Sequence, residues 1–304
     1  MTFSEMLNIG LMQGFSGLSL FAVLLLMGLG LAIIFGQMGV INMAHGEFMT
    51  IGAYTIYVSS RVVELHMPAL LPYYFPIAIL IAFGLAFVAG WALEWTVIRH
   101  LYKRPLDTLL ATWGVSLGMQ QVFRSTFGGK EVSGTLPDWI MGSLTPVEGL
   151  DIPINGLFVM GLTILVTGCV IMALNHSRWG LRVRATVANR PMANATGINT
   201  RKTDRLTFAI GSGIAGIAGA AFTTIGSTGP TSGSLYIVDS FLVVTFGGTA
   251  NLFGTVISAF LIAQTQAISE FFMDGSNGRV LTYSSIVLIL MFRPQGLFAS
   301  KVRR

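Results

Sequence analysis

The sequence predicts an all-α polytopic membrane protein with eight or nine transmembrane helices. Three observations predict it. Hydrophobic residues make up 53% of the 304 residues and charged residues only 10%, against about 25% charged in a soluble domain. The mean hydropathy is +0.72. An uncharged stretch runs from Met6 to Ala44, longer than the roughly 20 apolar residues that carry a helix across a bilayer.

The spans are placed at Leu11–Phe35, Gly39–Ser59, Ala69–Leu93, Leu106–Phe123, Ile154–Asn175, Leu206–Gly226, Ile237–Gly248, Gly254–Phe271 and Val280–Phe292. The first reads as a retained span rather than a signal peptide, because MTFSEMLNIG lacks a positive n-region. The second is interrupted by polar residues and the seventh is short, which leaves eight and nine crossings both open. Cys169 falls inside the fifth span, where a packing role is expected. In the sixth, Ser212, Gly216 and Ala220 recur every four residues. Small residues on one face let helices approach closely where lipid supplies no hydrophobic drive.

The polar remainder is too small for a second core. Arg124–Asp151 and Asn175–Arg205 are the longest polar segments, and chains of about 30 residues bury too little surface to fold alone. Residues 1–304 are therefore expected to form a single transmembrane domain, with 124–153 as an external loop and 176–205 as a cytoplasmic one. Basic residues concentrate in cytoplasmic loops. Asn175–Arg205 holds Arg178, Arg182, Arg184, Arg190, Arg201, Lys202 and Arg205 against Asp204 alone. The link Glu94–Asp107, with Arg99, Lys103 and Arg104, and the tail, with Lys301, Arg303 and Arg304, follow the same rule. Arg124–Asp151 carries Glu131, Asp138, Glu148 and Asp151 against Arg124 and Lys130, which fits the outside. Nine spans reconcile these assignments with the N-terminus outside and the C-terminus in the cytoplasm; eight spans place the N-terminus inside. The net charge of +5 is explained this way, without nucleic acid, since no basic stretch is interleaved with aromatics.

Two polar segments carry chemistry. In Arg182–Gly211, a helix-forming stretch Arg184–Asn194 is broken at Pro191, and small groups follow at Ala193, Ala195 and Gly197. Gly197 stands where a helix can stop in the left-handed conformation. Gly36–Thr55 places Asn42, His45 and Glu47 in membrane-depth sequence. A charge at the bilayer centre costs about 2.5–3.5 kcal/mol on insertion scales, so such groups face a protein interior or a water-filled cavity. They either hydrogen-bond one another and lock helices together or line a solute path. His45-Gly-Glu47 is not the HExxH zinc pattern, and no GxSxG elbow is present.

The pattern Arg184-Ala185, Ala193 to Ala195, Gly197-Ile198-Asn199 resembles the coupling loop of bacterial ABC-importer permeases. The resemblance implies short helices parallel to the membrane that dock in a groove of an ATP-hydrolysing subunit, with Arg182, Arg184, Ala185, Ala193, Ala195, Gly197 and Ile198 as the coupling residues. INMAHGEF with IGAY, LLATWGVSLGMQQVFRSTFG, SLYIVDSFLVVTFGGTANLFGTVISA and FRPQGLF are similar to segments of the LivH-type branched-chain amino acid permeases, which include the urea permeases. The wording ATWGVSL and YIVDSFLVVTFGG is most similar to the urea permeases of the UrtB type.

No P-loop is present: the only Gly-Lys pair, Gly129-Lys130, precedes Glu131. The resemblance therefore implies ATP and Mg on partner subunits, with no cofactor bound by this chain. Its partners are a second homologous permease, two cytoplasmic ATPase subunits, an external solute-binding protein and membrane lipid, in a bacterial inner membrane. The expected function is ATP-driven urea import. Uncharged polar groups suit urea, namely Asn42, Thr50, Thr112, Ser116, Gln120, Thr245 and Thr249, beside His45 and Glu47. Branched-chain amino acids are the alternative solute. A stand-alone channel and an intramembrane enzyme are alternatives of other classes.

Overall fold

The computed structural model describes residues 3–102, 104–147, 150–249 and 251–298. Lys103, Glu148, Lys301, Arg303 and Arg304, used above for orientation, lie outside the described residues. The helices in chain order are α1 (Phe3–Met38), α2 (His45–His66), α3 (Tyr74–Thr96), α4 (Pro105–Phe127), α5 (Ile154–His176), α6 (Arg178–Ala188), α7 (Arg190–Ala195), α8 (Thr200–Phe222), α9 (Ser232–Gly247), α10 (Leu252–Phe272) and α11 (Gly275–Phe292). Each of the nine expected spans overlaps one helix, α9 being shorter at 16 residues and the first six residues of Gly39–Ser59 not being helical. Of these, α1, α3, α5, α8 and α10 are long and apolar enough to cross a membrane on length and composition alone. The architecture is that of an all-α polytopic membrane protein.

Two helices form the centre. α1 is apolar all round, and Ala22–Met27, Leu29, Leu31 and Ile34 are buried, the pattern of a helix surrounded by others. It packs on α5, α8, α9 and α10. α8 is central for a different reason: its glycines bring the backbones of its neighbours close. A methyl group added at Gly216 would come within 2.6 Å of Ala86 Cβ on α3, and one at Gly211 within 2.6 Å of Gly30 O on α1. One at Gly219 would overlap the Met49 carbonyl of α2. Three helices thus meet α8 nearly backbone to backbone. The repeat at Ser212, Gly216 and Ala220 is buried as expected.

Large apolar side chains ring the outside, among them Leu110, Trp113 and Leu117 on α4, Ile164 and Leu165 on α5, and Leu288 and Met291 on α11. Cys169 joins this outer surface. The expectation that it packs inside the chain is corrected: α5 turns Val159, Val166 and Val170 inward instead.

One end of the bundle gathers residues 97–102, α6, α7 and the turn after α9. A cavity there is lined by Gln37, Val183, Arg184, Thr249 and Asn251. Leu297 N donates to Phe246 O at 2.8 Å, so residues 293–298 fold back on the same end. The opposite end carries the loop after α4. Here the chain adds strand: β1 (Ser143–Val147) pairs antiparallel with β2 (Leu150–Pro153). The loop is tied down, with Val132 and Thr228 exchanging both backbone bonds at 2.8 Å. Tyr74 Oη donates to Thr135 O at 2.5 Å and Trp139 Nε1 to Pro72 O at 2.7 Å.

Candidate functional site

The link between α1 and α2 re-enters the bundle. Gly39 takes φ +63°, and the chain then runs without helix to His45. His45 Nε2 donates to Met27 O at 3.3 Å. Met27 lies 11 residues before the end of α1, about 16 Å along the helix. α2 therefore starts deep inside, and Asn42, His45 and Glu47 are all fully buried there. Non-helical backbone at such depth is tolerated only where protein or a water-filled cavity covers it.

These three side chains do not bond one another, which corrects that expectation. Asn42 Oδ1 accepts from Ala44 N at 3.0 Å, closing the turn that leads into α2. Glu47 Oε1 accepts from Ser116 Oγ at 2.9 Å and Gln120 Nε2 at 2.7 Å, both on α4. Thr112 Oγ1, one turn before Ser116, accepts from Met43 N at 3.1 Å. His45 thus reaches α1 and Glu47 reaches α4, while Asn42 bonds within its own link. Glu47, Thr112, Ser116 and Gln120 come together between α2 and α4, with Asn42 in the link beside Met43. Thr245 does not join them: its hydroxyl donates to Phe241 O at 2.7 Å inside α9. Thr50 lies at the α9 start, where it accepts from Gly233 N at 3.0 Å. Asn42 Nδ2, His45 Nδ1 and Glu47 Oε2 have no hydrogen-bond partner among the described residues. A donor and a carboxylate oxygen in this cluster are thus left over by the fold.

The second group lies at the α6–α7 end. α6 starts at Arg178, earlier than the sequence suggests, with Ser177 Oγ accepting from Gly180 N at 3.0 Å as its cap. Pro191 does not break a helix; it sits in the first turn of α7, where its missing N–H costs nothing. The break falls at Asn189, whose Oδ1 caps α7 through Met192 N at 3.0 Å. α7 ends as expected at Gly197, with φ +87°. Ile198 N donates to Ala193 O at 3.0 Å and Gly197 N to Asn194 O at 3.1 Å, the paired bonds of a glycine C-cap. Asn199 then caps α8 through Lys202 N at 3.0 Å.

Of the coupling residues, Ala193 is buried, Ala185 and Ile198 half-buried, and Arg182, Arg184, Ala195 and Gly197 exposed. The exposed Arg184 also bonds within the chain. Its guanidinium donates to Leu174 O and, at 3.5 Å, to Asn175 O, a cation closing the negative end of α5. Arg182 instead lines a cavity of about 330 Å³ with Trp179, Gly197 and Lys202. Leu181, Val187 and Met192 are exposed apolar side chains on the same two helices.

Three buried acids, Glu94, Asp204 and Asp239, stand outside the site residues expected from sequence. Glu94 and Asp239 each interrupt an apolar run, and an acid in such a run is itself the signal. Asp239 accepts from Tyr283 Oη at 2.6 Å. Glu94 accepts from Tyr102 Oη at 2.6 Å and Arg205 Nε at 2.8 Å. Burial, and then the bond to Glu94, push the Tyr102 phenol above its ordinary range, so it stays a donor. Trp179, equally unexpected, fastens α6 to α8 through Thr207 Oγ1 at 3.1 Å.

With the bundle and its two polar sites described, comparison with known proteins places the chain. Residues 14–292 match the family of the branched-chain amino acid transport system permease component. This chain belongs to that family, the membrane-spanning permeases of ABC importers, and is a transport subunit. It is 26% identical over 310 residues to the high-affinity branched-chain amino acid permease LivH of Salmonella typhimurium, covering 97% of each chain. It is 26% identical over 295 residues to BraD of Pseudomonas aeruginosa, covering 94% of this chain and 95% of that one. The high-affinity branched-chain amino acid permease LivM of Escherichia coli K12 is 24% identical over 297 residues, covering 90% of this chain and 67% of LivM. No solved structure matches.

Proposed function

We propose that this chain forms one half of the membrane pathway of an ATP-driven importer in a bacterial inner membrane and that its solute is urea. The observation that carries the solute reading is the α2–α4 cluster. It offers a carboxylate oxygen, an amide and hydroxyls, while no Lys or Arg is among the described hydrogen-bond partners of Asn42, His45, Glu47, Thr112 or Ser116. Urea is neutral and presents amide N–H donors and one carbonyl acceptor. Its desolvated hydrogen bonds need replacing by such groups. The ATWGVSL and YIVDSFLVVTFGG segments support the same solute. Branched-chain amino acids are the second reading, favoured by the names of LivH and BraD. The N-terminus of α2 would then serve the carboxylate and Glu47 the ammonium.

In this reading the α6–α7 end faces the cytoplasm together with residues 293–298, and the Val132–Thr228 end faces out. One of the two ATPase subunits docks on α6 and α7, where Leu181, Val187 and Met192 are exposed. A solute-binding protein docks on the tied-down outer loop. A second permease of the same family completes the pathway.

Labelled uptake in a strain deleted for this gene tests the solute. Urea uptake is expected to return on complementation and leucine uptake to stay unchanged. Leucine uptake restored with urea uptake unaffected overturns the urea reading. Gly197→Val tests the docking loop. Space is open at this position, so a side chain meets nothing within 4 Å. The left-handed backbone still costs roughly 1–2 kcal/mol in a residue with a Cβ. The variant is expected in the membrane at normal level, with ATP hydrolysed per solute imported rising several-fold. An unchanged ratio argues against docking there.

A further inference from the structure

Resting on the assignment of α6–α7 as the ATPase-docking segment, we propose that Arg190, Asp204, Tyr102, Glu94 and Arg205 act as positioning residues that relay movement of α7 to the transmembrane helices. Arg190 stands in the first turn of α7 and pairs with Asp204 Oδ2 in the first turns of α8. The other oxygen of Asp204 accepts from Gln37 Nε2 at 3.2 Å, in the last turn of α1. The same guanidinium lies 5.4 Å from the centre of the Tyr102 ring. Tyr102 holds Glu94 Oε1, at the end of α3, and Arg205 holds Glu94 Oε2. Arg205 also lies 5.4 Å from the centre of the Trp91 ring.

One half-buried arginine on the short helix is thus connected to α1, α3 and α8 through two carboxylates and the Tyr102 ring. The side chains of Glu94 and Asp204 are only 1% exposed. All four carboxylate oxygens are occupied, and the donors arrive from four different segments. A guanidinium has a rigid fork of donors, and hydrogen bonds strengthen in a low-dielectric setting. The network therefore resists sliding where a solvated loop would give. Arg184, by contrast, holds only the end of α5. A buried ion pair is weak evidence for stability as such. A role in fixing register between moving parts is the more specific use of this one.

The test uses the whole importer, with both permeases, the ATPases and the binding protein, in proteoliposomes. The solute is the one selected by the deletion strain. Arg190→Met keeps the stem and removes the charge. It is expected to lower uptake at least five-fold while ATP hydrolysis stays above half, with ATPase subunits retained on the purified complex. Arg190→Lys is expected to restore part of the uptake, and Tyr102→Phe, which removes one hydroxyl, to raise ATP consumed per solute about two-fold even if Arg190→Met fails to accumulate. An unchanged ratio in Arg190→Met and Tyr102→Phe overturns the relay. So does a parallel loss of hydrolysis and uptake with ATPase subunits shed, which marks docking instead. Gly197→Val, run beside them, separates the two failures. If it stays coupled, the docking assignment itself is wrong. If it uncouples and the relay variants do not, the relay alone is wrong.

Discussion

Replacing Gly219 with valine is expected to abolish accumulation of folded permease. A methyl group at this position would overlap the Met49 carbonyl and come within 2.9 Å of Ala53 N. Both obstacles are backbone of α2, so no rotamer change relieves them. α2 cannot retreat cheaply, because Gly52 packs equally closely against the Gly216 carbonyl and Phe48 packs edge-on against Phe208 at 6.2 Å between ring centres. Overpacking of a filled core costs about 1–3 kcal/mol, occasionally more, and a backbone clash belongs at the upper end. Membrane-inserted, monodisperse protein should fall more than five-fold on size-exclusion chromatography. Gly118→Val on α4, where nothing lies within 4 Å, is expected to leave the protein's own fold intact. Normal yield of Gly219→Val would show that α2 and α8 are not packed as described.

Glu47→Ala is expected to remove transport. The carboxylate is the acceptor for both Ser116 and Gln120. Removing it orphans two donors on α4 at a desolvation cost of about 1–3 kcal/mol each. α4 keeps its hold through the Tyr54–Phe127 stack, 4.2 Å between ring centres, and the Thr112 bond to Met43. The turns between these two anchors, which carry Ser116 and Gln120, then lose their hold on α2. Uptake should drop more than fifty-fold. Glu47→Gln separates two roles, since an amide oxygen can still accept from Ser116. If the unpartnered Oε2 meets the solute, uptake in Glu47→Gln falls about ten-fold with protein level unchanged. Normal uptake in Glu47→Gln would reduce Glu47 to an anchor for α4.

The spans are legible in the sequence because lipid imposes a length and a composition that any apolar run must satisfy. Gly197 is legible for a related reason: a glycine after a helical stretch marks a particular backbone shape, and the φ of +87° bears it out. Pairing across the chain is not legible. Glu47 meets α4 residues 69 and 73 positions away, and Glu94 meets Arg205 at 111. Nothing local distinguishes these partners from their neighbours. The start of α6 is hidden because a basic amphipathic helix at a membrane surface has the composition of a loop. Cys169 is misplaced by sequence because an apolar run does not say which face of its helix is covered. The β1–β2 hairpin escapes a reading of the outer loop by charge alone.

The most direct test of the central claim is solute flux into liposomes holding the permease pair, with and without the ATPase subunits. Flux is predicted only when the ATPases, Mg-ATP and the binding protein are all present, and the permeases alone should hydrolyse no ATP. Flux through the permeases by themselves, or nucleotide hydrolysis by this chain, would contradict a gate driven from the α6–α7 end by a separate motor.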